Sequence, residues 1–218
     1  MSRLTASAKP FGFDFELART ALIIIDMQRD FCANGGFGEA LGNDITPTKQ
    51  IIPTVRRVLD AARKAGMRVI HTREGHRPDL SDLPKAKLRR SPAIGTDGPM
   101  GRILIRGEIG HDIVAELAPI PGEVVIDKPG KGAFYQTDLQ AILTSQEITS
   151  LVVCGVTTHV CVHTTIREAN DRGYECLMLE DGTAAFDPRD QEAAIRMINQ
   201  QGGIFGWTTS SREFLQAL

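Results

Sequence analysis

The sequence predicts a layered α/β fold, a three-layer α/β/α sandwich around a mainly parallel sheet of about six strands. Two observations carry this. Strand and helix signals alternate along the whole of the 218-residue chain, as they do where helices connect parallel strands. The strongest strand candidates, Thr20–Ile25 and Thr149–Val156, are nearly unbroken apolar runs, which suits strands covered on both faces.

Residues 1–14 read as an N-terminal extension, and Thr20–Ile25 as the first strand. Between residues 51 and 65, Ile51, Ile52, Val55, Val58, Leu59 and Ala62 fall on one helical face, with Pro53 early and Gly66 just past the end. Met67–His71 is the second strand. An irregular excursion over residues 73–110, rich in Pro, Gly and charge, follows it, and loops of that length in a compact domain are usually lids, interfaces or binding loops. Helices are expected near His111–Leu117 and Thr137–Leu143, either side of a third strand at Glu123–Ile126. The fourth strand, Thr149–Val156, leads into a helix that starts near Cys161, runs to about Asp171 and ends at Gly173. Cys176–Leu179 and Gly203–Trp207 complete the sheet, with a helix from Pro188 to about Gln201 between them and a short one closing the chain. No internal repeat, linker or low-complexity tract divides the sequence, so one domain over residues 1–218 is expected.

Composition narrows the function classes. With 42% hydrophobic residues, 24% charged residues and a net charge of −2, the chain can bury a core beneath a well-solvated surface. No basic stripe with interleaved aromatics suggests nucleic acid, and no apolar stretch approaches the ~18 to 20 residues of a membrane span. The first ten residues lack the apolar centre of a signal peptide, so a cytoplasmic location is expected. Cys32, Cys154, Cys161 and Cys176 are too irregularly spaced for a disulfide framework or a paired-cysteine zinc site, so reduced thiols are expected.

Three strands end in a chemically capable side chain. Thr20–Ile25 runs into Asp26, Glu123–Ile126 into Asp127-Lys128, and Thr149–Val156 into Thr157-Thr-His-Val-Cys161. Open α/β sheets bind ligands at the C-terminal ends of their strands. If these three strands are parallel neighbours, a carboxylate to shuttle protons, an ammonium to stabilise anions and a nucleophilic thiol meet at one edge. A thiol at a helix start also sits where unpaired N–H groups and the helix dipole favour the thiolate.

The segments Asp26-Met-Gln-Arg-Asp-Phe31, Lys128-Pro-Gly-Lys-Gly-Ala-Phe134 and Gly155-Val-Thr-Thr-His-Val-Cys161, in that order, resemble the isochorismatase-like cysteine hydrolases from about Phe15 to the C-terminus. The stretches His71–Leu80, Lys128–Phe134 and Arg167–Cys176 are most similar to the biuret and triuret hydrolases within that superfamily. The resemblance implies Cys161 as nucleophile, Asp26 as general base and acid, and Lys128, with Lys131 as its competitor, as the cation holding Asp26. It implies a cis Val156–Thr157 peptide, with the Thr157 and Cys161 N–H groups aimed at one oxyanion. Gln201 matches a substrate-binding glutamine in those relatives, Phe31 can provide a flat apolar wall, and Glu74, read as a loop carboxylate, can accept substrate N–H bonds. A homotetramer is also implied.

The expected reaction is hydrolysis of a C–N bond in a small ureide, biuret or triuret, through a thioester that releases ammonia. Ureidoacrylate or an N-carbamoyl amino acid is the alternative substrate, in which case Arg73, Arg77 or Lys131 would meet the carboxylate. The non-enzymatic alternative is a silent member of the fold, with residues 73–110 as an interaction surface. No cofactor is expected. No metal is expected either, because His71-Thr-Arg-Glu-Gly-His76 lacks the Asp-x-His spacing of metal-binding nicotinamidases. His71 reads as a strand-end residue, and His111, His159 and His163 as helix-surface or cap positions.

Overall fold

The computed structural model describes residues 3–218. A hairpin opens the chain, with β1 (Arg3–Ala6) antiparallel to β2 (Phe13–Glu16). Phe13 and Phe15 stack at 5.8 Å in the interior, and Phe13 meets Trp207 at 5.2 Å, so the expected extension is packed into the core.

The remaining strands are β3 (Thr20–Ile25), β4 (Arg68–Glu74), β5 (Asp97–Gly98), β6 (Gly101–Arg102), β7 (Val124–Lys128), β8 (Ser150–Val156), β9 (Glu175–Ala184) and β10 (Trp207–Thr209). Six of them form one sheet in the order β10-β9-β8-β3-β4-β7, and every pairing in it is parallel. Three short helices, α1 (Arg29–Cys32), α2 (Phe37–Ala40) and α3 (Thr46–Gln50), precede α4 (Ile52–Ala65). The others are α5 (Lys85–Arg90), α6 (Leu139–Ser145), α7 (His163–Asp171), α8 (Pro188–Gly203) and α9 (Ser211–Ala217).

Alternation along β3 builds the layers. Leu22 and Ile24 pack with Val55, Val58, Leu59 and Ala62 of α4 on one face, while Ile23 and Ile25 join Leu143, Ile166 and Ile198 on the other. Gly66, at φ 73°, closes α4 in the left-handed conformation that glycine adopts without steric cost.

Three expectations differ from the fold. The second strand continues past His71 to Glu74, because Arg73 and Glu74 stay in register with Asp127 and Lys128 on β7, and the irregular excursion starts only after it. No helix forms over 111–117. There are only single turns at Ile109–His111 and Ala115–Leu117, because the backbone between them bonds to the segment after β3, through Arg29 N to Asp112 O at 2.9 Å and Val114 N to Met27 O at 2.9 Å. The last strand starts at Trp207, since Gly203 and Gly206 both take positive φ and turn the chain first.

Candidate active site

Sheet order brings the expected residues together, though not as immediate neighbours. β3 and β8 are adjacent, so Asp26 and the turn bearing Cys161 emerge side by side, whereas β4 separates β3 from β7. Glu74 ends β4 in register with Lys128 and fills that gap. Gly155 lets the β3 and β8 ends approach closely, since a Cβ there would collide with the Ile25 backbone.

Asp26 sits at φ 48°, a region that Asp tolerates better than most residues. Thr72 donates its hydroxyl to Asp26 Oδ1 at 2.7 Å, and the Lys128 ammonium lies 2.7 Å from Oδ2. Lys128 also donates to the carbonyls of Gly130 at 3.0 Å and Lys131 at 2.9 Å. Burial opposes its charge, but Asp26, Cys161 and Glu74 outweigh that, and the Lys128 pKa is raised. Of the two candidate lysines, Lys128 is therefore the one held against Asp26.

Glu74 is fully buried rather than a loop carboxylate. Its Oε1 accepts from Lys87 at 2.6 Å and Lys131 at 2.9 Å, while Oε2 accepts from the Cys161 thiol at 3.4 Å and lies 3.8 Å from Lys128. Burial works against its ionisation, yet Lys128, Lys131 and Lys87 together hold it far below the ordinary carboxylate range.

Cys161 lies in a wide turn, Thr158–Val162, ahead of α7, and the Val156–Thr157 peptide is cis. The N–H groups of Val160 and Val162 both donate to Thr157 O, at 3.0 and 3.3 Å. The Thr165 hydroxyl donates to Cys161 O at 2.7 Å and accepts from Ala133 N at 3.0 Å, tying this turn to the lysine loop. Burial pushes the thiol well above its ordinary pKa, against the pull of Lys128. Desolvation in this closed site therefore works against the thiolate that the helix start and Lys128 favour.

The isochorismatase domain model matches residues 20–212, a span that contains every one of these groups. The chain belongs to the isochorismatase-like hydrolases. Ureidoacrylate amidohydrolase RutB of Pantoea ananatis is 33% identical over 225 residues, covering 97% of this chain and 87% of its own. RutB of Serratia proteamaculans is 33% identical over 223 residues, with 99% and 89% covered. The crystal structure of a cysteine hydrolase from Pseudomonas syringae pv. phaseolicola superimposes with a TM-score of 0.82 at 29% identity, covering 100% of this chain and 98% of its own.

In this isochorismatase-like hydrolase the other candidate residues have surroundings of their own. Phe31 packs edge-on against Phe37 at 5.9 Å, in the core layer that does not include Cys161. Gln201 is exposed at the break that ends α8, ahead of β10. Arg73 points away from Glu74 and pairs with Asp127 at 2.7 Å, while Arg77 stays exposed. His111 and His163 are buried rather than on a helix surface, and burial takes each down to about 4.

A metal has a formal donor set in Asp26, Glu74 and Cys161, whose ligand atoms lie within 4.8 Å of one another. The Lys128 ammonium already occupies the cation's place between the two carboxylates, and a divalent ion there would meet that charge directly. The donor set therefore does not fit a resident metal.

Sequence reasoning missed Lys87, Thr72 and Gln28. Gln28 donates to the carbonyls of Glu74 and His111, both at 3.0 Å, and accepts from Glu74 N at 2.7 Å, so it fixes the end of β4. Its place two residues after Asp26 was the only available signal. Lys87 had none beyond lying in a basic stretch of the excursion. Among the described residues, no helix is long and apolar enough to cross a membrane.

Proposed function

We propose that this hydrolase is a cysteine-dependent amidohydrolase of a small ureide bearing a carboxylate, of which ureidoacrylate is the type. The observation that carries the chemistry is the buried contact of Lys128 with Asp26 beside the Cys161 thiol. The RutB relatives, at 33% identity over nearly the whole chain, support the substrate class.

In the proposed reaction Cys161 Sγ attacks the ureido carbonyl carbon as its proton passes to Asp26. Glu74 lies within 3.4 Å of the thiol, but a carboxylate stabilised by three ammonium groups is a weak base. Asp26 is the acceptor that the family resemblance implies, and its carboxylate lies within 4.8 Å of the Cys161 sulfur. The carbonyl oxygen becomes an oxyanion that the Thr157 and Cys161 N–H groups would receive. Asp26 returns the proton to the departing nitrogen, the C–N bond breaks, and a carbamoyl group stays on sulfur. Asp26 then takes a proton from water, the resulting hydroxide attacks the carbamoyl carbon, and the thiol leaves reprotonated.

Biuret and triuret are the second reading, favoured by the likeness of residues 71–80 and 167–176 to enzymes of that type. Kinetics on ureidoacrylate, N-carbamoyl amino acids, biuret and triuret decide between the two. The proposal expects kcat/KM for ureidoacrylate at least tenfold above that for either neutral ureide. A preference for biuret or triuret would overturn it, and inactivity on all four would revive the silent-module reading.

A further inference from the structure

We infer that Lys87, with Lys131 beside it, forms the subsite that binds the substrate's distal carboxylate, so that the excursion after β4 supplies a specificity-determining cation to the active site. This deepens the carboxylated-ureide reading above and rests on it for the identity of the natural substrate.

The first observation is where Lys87 points. The helix α5 contributes nothing to the buried core, and Lys87 alone among its residues is not exposed. Its side chain, 12% exposed, reaches Glu74 Oε1 at 2.6 Å and the Pro129 carbonyl at 2.8 Å. Holding a long lysine side chain in one conformation costs rotamer entropy, which the Glu74 and Pro129 contacts offset.

The second is the charge count. Three ammonium groups, those of Lys87, Lys128 and Lys131, face two carboxylates, Asp26 and Glu74, beside the Cys161 sulfur. The cations outnumber the carboxylates by one, and of the two outer ammonium groups Lys87 is nearly buried while Lys131 is 40% exposed. Lys128 is fully engaged with Asp26 and two carbonyls, so the surplus falls on Lys87 and Lys131, which share a single carboxylate oxygen. Burial pulls Lys87 below its ordinary pKa despite Glu74, whereas Glu74 holds Lys131 above its own against burial. An uncompensated buried charge is expensive, and a substrate carboxylate would supply the missing anion where a neutral ureide would not.

The third is reach. Glu74 touches the thiol with one oxygen and both surplus ammonium groups with the other. A ureide whose carbonyl sits on Sγ and whose acid group is a few bonds away would therefore bring its carboxylate to Lys87 and Lys131. Arg73 and Arg77, the other cations considered, do not face this space.

The test compares charged and neutral probes of one shape in wild type, Lys87→Met and Lys87→Arg. Alkylation of Cys161 by iodoacetate relative to iodoacetamide reads the subsite without any substrate, and kcat/KM for ureidoacrylate relative to its carboxamide reads it in turnover. In Lys87→Met both ratios should fall about tenfold, the scale of one charge-assisted hydrogen bond, mainly through KM in the second case. Lys87→Arg should keep most of each ratio. Equal losses for charged and neutral probes would overturn the inference by making Lys87 a structural latch, as would unchanged ratios. If the iodoacetate ratio falls but wild type does not hydrolyse ureidoacrylate, the subsite stands and the substrate reading falls. If ureidoacrylate is hydrolysed but neither ratio moves, the reverse holds.

Discussion

Two ionic clusters sit on the same pair of strands, and they differ in how their charges close. Near the start of β4 and β7, Glu123 takes a two-point contact from Arg63, at 2.7 and 2.9 Å, and faces His71 Nε2 at 3.1 Å. Burial keeps His71 neutral, so one anion meets one cation, and Glu123 falls to about 2 mainly because the Arg63 bond, helped by Ile120 and His71, overcomes its burial. At the far end of the same strands, Glu74 and Asp26 face three lysines and a thiol. The first cluster is complete and holds an edge strand in place. The second sets three ammonium groups against two carboxylates beside a thiol, and an ion network of that kind is a candidate for chemistry.

The sharpest way to break this contrast is to remove charge from the second cluster. Asp26→Asn and Lys128→Met should each lower kcat by at least a thousandfold. The double variant should be scarcely worse than either, because groups acting as one unit are non-additive. Steady-state kinetics on the four proteins check this, and additive losses would mean independent roles.

Stability comes next. Glu74→Gln leaves Lys87 and Lys131 without an anion and should destabilise by ~3 to 5 kcal/mol in denaturant titrations. Glu123→Gln, at a partly solvated pair, should cost less, ~1 to 3 kcal/mol. The reverse order would refute the contrast. The pH dependence has a definite sign. The folded pKa of Glu123 lies below its ordinary value, so its contribution is present above about 4.5 and fades as pH falls toward about 2. Wild type should lose stability across that window, and Glu123→Gln should show a shallower slope there. The smallest expected effect belongs to exposed Gln201 at the break that ends α8, where Gln201→Ala should change kcat/KM less than about twofold on any ureide.

Much of this was legible in the sequence because the strongest signals are local. Apolar runs ending abruptly in Asp26, Lys128 and the Cys161 turn identify both the strands and the edge where chemistry gathers. Glu74 and Lys87 were harder to find, since their roles depend on a register and on a long-range return of the chain. Polar Thr72 and Glu74 made the end of β4 look like loop, although its pairing with β7 continues to Glu74 and Lys128. Lys87 approaches from thirteen residues further on, and no spacing rule says which of several basic residues in an irregular segment turns inward. Gln201 was suggested by a motif position alone, and it stands exposed at the break that ends α8.

The central claim is that Cys161 carries a covalent intermediate formed with help from Asp26 and Lys128. Acid quenching of the working enzyme during turnover of ureidoacrylate, followed by mass spectrometry of the peptide containing Cys161, tests it most directly. The account predicts a carbamoyl adduct on Cys161 and on none of Cys32, Cys154 or Cys176, together with loss of nearly all turnover in Cys161→Ser. Turnover without any adduct, combined with more than a tenth of wild-type activity in Cys161→Ser, would contradict it.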